Sequence, residues 1–116
     1  MDASDIRFWV FIAALVGIYL FFTRFGKITG KRARELVSAG AKLIDVRSPS
    51  EFAGGHIDGA ENVPLDRIGS RATALAKEGR PVVVYCASGM RSGSAKRALK
   101  SAGLNEVYDL GGMSRW

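Results

Sequence analysis

Cys86 is the one thiol in a chain of 116 residues, and its surroundings would suit a nucleophile. It closes the apolar run Pro81-Val82-Val83-Val84-Tyr85-Cys86, and Ala87-Ser88-Gly89-Met90-Arg91 follow before a stretch of helical spacing begins. A strand that turns straight into a helix places its last residue in the crevice where parallel α/β sheets bind ligands. There the amides of residues 87–91, with Gly89 allowing a tight path, can curl into an anion-binding nest at the helix N-terminus. Such a cradle favours thiolate over thiol. A free cysteine, with a pKa of about 8.5, is only about 3% thiolate at pH 7. A downward shift of about two units, roughly 2.7 kcal/mol, makes thiolate the majority form. Arg91 would add to this if its side chain turns inward. The competing reading is an inert cysteine buried at a strand end, since free Cys is among the residue types most often buried.

Other polar residues are candidates for supporting roles. Asp45 and Arg47 end a short apolar strand and can pair beneath the cysteine loop, bracing it; the alternative is a solvated surface pair. His56 is the only histidine, and proton relay and packing with hydrogen bonding are both open to it. Lys96, Arg97 and Lys100 read as the exposed face of a helix that also raises the local potential for anions. With one cysteine no intramolecular disulfide can form. The thiol suits a reducing compartment. No metal or organic cofactor is expected.

The elements that must position these residues alternate between strand and helix. Thr29 caps a helix with Ala33, Leu36 and Val37 on one face, stopping at Gly40. Lys42–Val46 reads as a strand broken by Ser48-Pro49, and Glu61–Val63 as a weaker one ended by Pro64. Asp66 is the expected N-cap of a helix with Ile68, Ala72, Leu75 and Ala76 inward, closed by Gly79 and Pro81. Pro81–Cys86 is apolar throughout, as in a strand buried on both faces. Ala95, Ala98, Leu99 and Ala102 mark the next helix, and Glu106–Leu110 a last strand. The order implies an α/β domain with a parallel sheet.

Residues 6–25, IRFWVFIAALVGIYLFFTRF, form an apolar stretch of 20 residues. As a helix it spans about 30 Å, the thickness of a bilayer's hydrocarbon core. Arg7 and Arg24 sit near its ends. Phe8 and Trp9 lie toward one interface, and Tyr19, Phe21, Phe22 and Phe25 toward the other. A signal peptide would start basic and end in a small-residue cleavage site, whereas Asp2 and Asp5 precede Arg7, and Thr-Arg-Phe-Gly-Lys (23–27) stands at the far end. The boundary is expected at residue 26, with the anchor over 1–26 and the domain over 27–116. The net charge is +6, and from Glu35 onward 11 basic face 9 acidic residues. The excess is juxtamembrane: Arg24, Lys27, Lys31, Arg32 and Arg34 follow the span, against one basic residue before it. That pattern suits lipid headgroups rather than nucleic acid, and it predicts a single-pass protein with its domain in the cytoplasm.

The stretches LIDVRSPSEFAGGHIDGAENVPL (43–65), VVVYCASGMRSGSAKRAL (82–99) and VYDLGGMSRW (107–116) together resemble the rhodanese family. The motifs carrying the likeness are Asp-Val-Arg, Gly-His-Ile-x-Gly-Ala-x-Asn-x-Pro, Cys-x-x-Gly-x-Arg-Ser and Gly-Gly-Met-x-x-Trp. The resemblance implies a three-layer domain. It also implies that Cys86 takes the outer sulfur of a small anionic donor such as thiosulfate, holds it as a persulfide, and passes it to cyanide, a thiol or a protein acceptor. Sulfurtransferases of this kind have six residues from Cys to Arg, where related phosphatases and arsenate reductases have seven; Cys86 to Arg91 is six. The Gly-Gly-Met stretch is expected to turn near the active-site mouth. The family pattern continues past its Trp into a C-terminal helix, and with Trp116 as the last residue here, looser packing is expected at that end. One anchor before one such domain is similar to bacterial inner-membrane members. The alternative is a tethered sulfur carrier or interaction module with little small-molecule turnover.

Overall fold

The computed structural model describes residues 2–24 and 26–116, without the side chains of residues 22–24. Phe25, which ends the expected span, and the side chains of Phe22 and Arg24 lie outside the described residues. The first helix, α1, runs Ala3–Arg24, about 33 Å long. It is long and apolar enough to cross a membrane, and none of Ala3–Phe21 is buried against the protein.

Four parallel strands form the sheet of the following domain in the order β2-β1-β3-β4. They are β1 (Lys42–Asp45), β2 (Glu61–Asn62), β3 (Val82–Cys86) and β4 (Val107–Gly112). Every residue of β3 is buried, because a central strand meets side chains on both faces. Val82, Val84 and Cys86 point to one side. They pack with Ile68, Ala72 and Leu75 of α4 (Ile68–Glu78) and Ala95 and Leu99 of α5 (Met90–Ser101). Val83 and Tyr85 point to the other, against Ala33 and Leu36 of α2 (Gly30–Ser38). Helix, sheet and helix make the three expected layers.

Local chemistry sets most of the boundaries. The Thr29 hydroxyl accepts from the Arg32 amide and caps α2, and Gly79 in the left-handed region (φ +68°) closes α4. Four local expectations are corrected. Ser48-Pro49 does not simply break the chain: Ser48 starts a short helix, α3 (Pro49–Ala53), through a capping box with Glu51. Asp66 caps nothing; it lies in a 3-10 turn, Leu65–Arg67, that runs into α4. Ala76, Ala98 and Ala102 are exposed, and the inward face of α5 is Ser92, Ala95 and Leu99. The Gly-Gly pair itself continues β4, with Gly111 beside Tyr85 and Gly112 beside Cys86 after a register shift, and the expected turn starts one residue later, as the 3-10 turn Met113–Arg115.

Candidate active site

Cys86 ends the central strand, and its side chain is wholly buried. Gly89, at φ +104°, folds the chain back so that its N–H donates to the Cys86 Sγ at 2.9 Å, and α5 begins at the next residue. A Cβ at Gly89 would be strained by that angle alone. Ser92, in the first turn of α5, is also fully buried; its Oγ lies 3.5 Å from Sγ and donates to the Gly89 carbonyl at 3.1 Å. Burial is the largest single influence on the thiol and raises its pKa. The Ser92 hydroxyl and the amides of Ser92, Gly89 and Ser88 together outweigh it, and the pKa falls below the ordinary thiol value. The tight path also needs Gly112. A Cβ there would come 2.9 Å from the Ala87 carbonyl oxygen.

The remaining loop residues divide by exposure. Ala87 and Ser88 are open to solvent, Met90 is 69% exposed, and Arg91 is half-buried. Arg91 does not turn toward the sulfur as a free cation. Its Nη1 and Nη2 clasp the two Glu51 carboxylate oxygens at 2.7 and 3.0 Å. Arg91, then the Ser48 amide, hold the Glu51 carboxyl down at about 2. Sequence reasoning missed this partner; the signal was the Ser48-x-x-Glu51 capping box, which places that carboxylate at the first turn of a helix.

Asp45 and Arg47 do pair, in the interior. Asp45 is fully buried, and Arg47 donates from Nε and Nη2 to its carboxylate at 2.8–3.1 Å. Arg47 Nη2 also donates to the Gly55 carbonyl at 2.6 Å, and its guanidinium lies 6.0 Å from the Tyr85 ring centre. The pair therefore fastens the segment after α3, and it also stands beside the cysteine's own strand, where Asp45 is the register partner of Tyr85. The Tyr85 hydroxyl accepts from the Ile57 amide, and the phenol's pKa is pushed up to about 12, chiefly by burial. His56 is exposed, stacked on Phe52, with Nδ1 2.8 Å from the Phe52 carbonyl oxygen. Arg97 and Lys100 are exposed, while Lys96 donates to the Gly26 carbonyl.

An open cleft of about 1020 Å³ lies over the loop, and Ser88, Gly89 and Met90 form part of its wall. Lys27, Arg91, Lys96, Arg97 and Arg115 bring five cations to it against the single carboxylate of Asp109. Comparison with known proteins agrees with this geometry: the Rhodanese-like domain family matches residues 29–116. The chain belongs to the rhodanese-like family. It is 38% identical over 112 residues to YqhL of Bacillus subtilis, described as uncharacterized, covering 96% of this chain and 88% of that one. It is 40% identical over 78 residues to the thiosulfate sulfurtransferase PspE of Escherichia coli, covering 66% and 75% of the two chains. Among solved structures, human single-domain sulfurtransferase TSTD1 superposes with a TM-score of 0.64 at 27% identity, covering 78% of this chain and 91% of that one. The rhodanese-like fold, a parallel sheet between helices, is shared.

Proposed function

We propose that this protein is a membrane-anchored sulfurtransferase that carries sulfane sulfur as a Cys86 persulfide. The observation that carries the reading is the Gly89 N–H on the Cys86 sulfur at the N-terminus of α5, beneath a cation-lined cleft. In the first half-reaction the thiolate attacks the outer sulfur of a thiosulfate-like anion. An S–S bond forms to Cys86, the donor's own S–S bond breaks, and sulfite leaves with the electron pair. In the second, cyanide, a thiolate or a protein thiol attacks the outer sulfur, and the Cys86 thiolate departs. The amides that favour the thiolate also suit the anionic persulfide and lower the barrier at both ends. Ala87, Ser88, Gly89, Met90 and Arg91 are assigned to donor binding, with Asp45 and Arg47 as support.

The helix α1 is assigned as the anchor over residues 1–26, ahead of a domain over 27–116. The basic residues that follow it support a reading with the domain on the cytoplasmic side. Lys31 and Arg32 are exposed at the start of α2, with Arg32 3.9 Å from the Glu35 carboxylate. Lys27 is not, because it is held by Asp109.

The Arg91–Glu51 pair favours a second reading, a tethered sulfur carrier with slow small-molecule turnover, because the carboxylate offsets the loop's own cation. One experiment tests both. The purified protein is incubated with thiosulfate and the mass of Cys86 read, then cyanide or a protein thiol is added. Cys86 should gain one sulfur atom and lose it to the acceptor, and Cys86→Ser should do neither. Retention of even a tenth of the transfer rate by Cys86→Ser would end the persulfide reading. Loading without turnover to cyanide would select the carrier.

A further inference from the structure

Lys27 lies between α1 and the domain, two residues before the region matched by the family. Its backbone nonetheless bridges to Asp109 of β4 in parallel fashion, and the next amide, of Ile28, donates to the Asp109 carbonyl at 2.9 Å. The side chain then turns under the cysteine loop. Its Nζ donates to the Gly89 carbonyl at 3.2 Å and to Asp109 Oδ2 at 2.9 Å. Both partners are buried, and the Lys27 side chain is only 15% exposed. The fit is close along the stem as well: a Cβ at Gly89 would lie 3.3 Å from Lys27 Cε, and one at Gly111 3.0 Å from Cδ. Two glycines keep a channel open for this one lysine.

We propose that Lys27 is a positioning residue for Cys86, and that the juxtamembrane segment is thereby part of the active site. Gly89 is held through the two peptide groups that flank its Cα. Its N–H faces the Cys86 sulfur, and its carbonyl accepts from Lys27, from Ser92 Oγ at 3.1 Å and from the Gly93 amide at 3.3 Å. Ser92 and Gly93 belong to the same helix as the loop and move with it. Lys27 is the donor that ties the Gly89 carbonyl to a different part of the chain, the β4 edge. Without it that carbonyl loses its hold outside the helix, the φ and ψ of Gly89 are less fixed, its N–H can swing off the sulfur, and the loop loses its tie to Asp109. Asp109 pairs with the ammonium; of the cleft cations, Arg115 donates to the Leu110 and Ile28 carbonyls, Lys96 to the Gly26 carbonyl, Arg91 to Glu51 and Arg97 to the Ser94 hydroxyl.

The inference rests on Cys86 being the nucleophile of the proposed function, but its test reads thiol reactivity and not sulfur transfer. The full chain in detergent micelles is alkylated with iodoacetamide across a pH series, with thermal melts alongside. Lys27→Met keeps the stem and removes the ammonium. It should move the alkylation midpoint upward by roughly half a pH unit or more, slowing reaction at pH 7 about threefold. Should the bare Asp109 carboxylate prevent folding, Lys27→Met combined with Asp109→Asn removes the buried charge and should show the same shift. Lys31→Met, on the exposed start of α2, should leave the profile unchanged and thereby separate a local hold from a general loss of juxtamembrane charge. A folded Lys27 variant with the parent's profile would overturn the proposal, and so would an equal shift in Lys31→Met. A shifted Lys27 variant in a protein that proves unable to transfer sulfur would support it while removing the proposed activity.

Discussion

Replacing Ser92 by alanine removes a hydroxyl that has two neighbours: the Gly89 carbonyl, to which it donates at 3.1 Å, and the Cys86 sulfur at 3.5 Å. As Cys86 ionises, the hydroxyl can turn from the carbonyl to the thiolate. A hydrogen bond to a charged group contributes about 1.5–3 kcal/mol. The sulfur distance is long and the carbonyl competes, so the lower bound is the appropriate figure. At 1.36 kcal/mol per unit, that is a rise of about one pKa unit in the thiol. The sign follows from the native state, in which the Cys86 pKa lies below its ordinary value and Ser92 is foremost among the groups lowering it. Removing it moves the pKa back up and cuts the thiolate fraction at pH 7 by up to about tenfold. The assay is thiolate absorbance in the ultraviolet across a pH series, with circular dichroism as a control. Stability should fall by only about 1 kcal/mol, the usual net value of a neutral hydrogen bond. A folded Ser92→Ala protein whose thiol titrates at or below the parent's pH would refute the assignment.

Three other outcomes are expected. In Gly30→Ala the new methyl meets the Arg115 carbonyl, backbone that cannot swing aside. That crowding costs about 1–3 kcal/mol and exceeds the gain in helix propensity of about 0.5–1 kcal/mol, so the melting temperature should drop; a rise would show that the C-terminal turn yields freely. Glu51 titrates at about 2 in the folded protein against 4.5 ordinarily, so its pair with Arg91 contributes fully above 4.5 and is lost as pH falls toward 2. The melting gap between the parent and Glu51→Gln should therefore close across that window, and a gap independent of pH would deny the pair that role. For topology, Ser101→Cys in a Cys86→Ser background puts a thiol on an exposed site. A membrane-impermeant maleimide should label it only after lysis, and labelling of intact cells would place the domain outside.

The fold was legible where sequence periodicity is long or composition is extreme. Five consecutive buried residues in β3 announce a central strand, and a Gly after α4 in the left-handed region announces its end. The α3 helix escaped because five residues are too few for a helical period; only the capping box marks it. The inward face of α5 was misjudged because alanine fits either side, and a buried Ser92 carries no apolar signal. The loop around Cys86 could be located from one stretch of chain. Its partners could not: Glu51 meets Arg91 across 40 residues and Lys27 meets Asp109 across 82, and neither pair leaves a local pattern. Lys27 in particular looked like one more headgroup-facing cation.

Cys86 is buried at the foot of its loop. In the proposed cycle the empty enzyme therefore shows little sulfur at its surface, and a small donor reaches it more readily than a bulky thiol or disulfide does. Loading adds a second sulfur about 2 Å beyond the first. A large partner thus meets the outer sulfur of the loaded site more readily than the bare thiol.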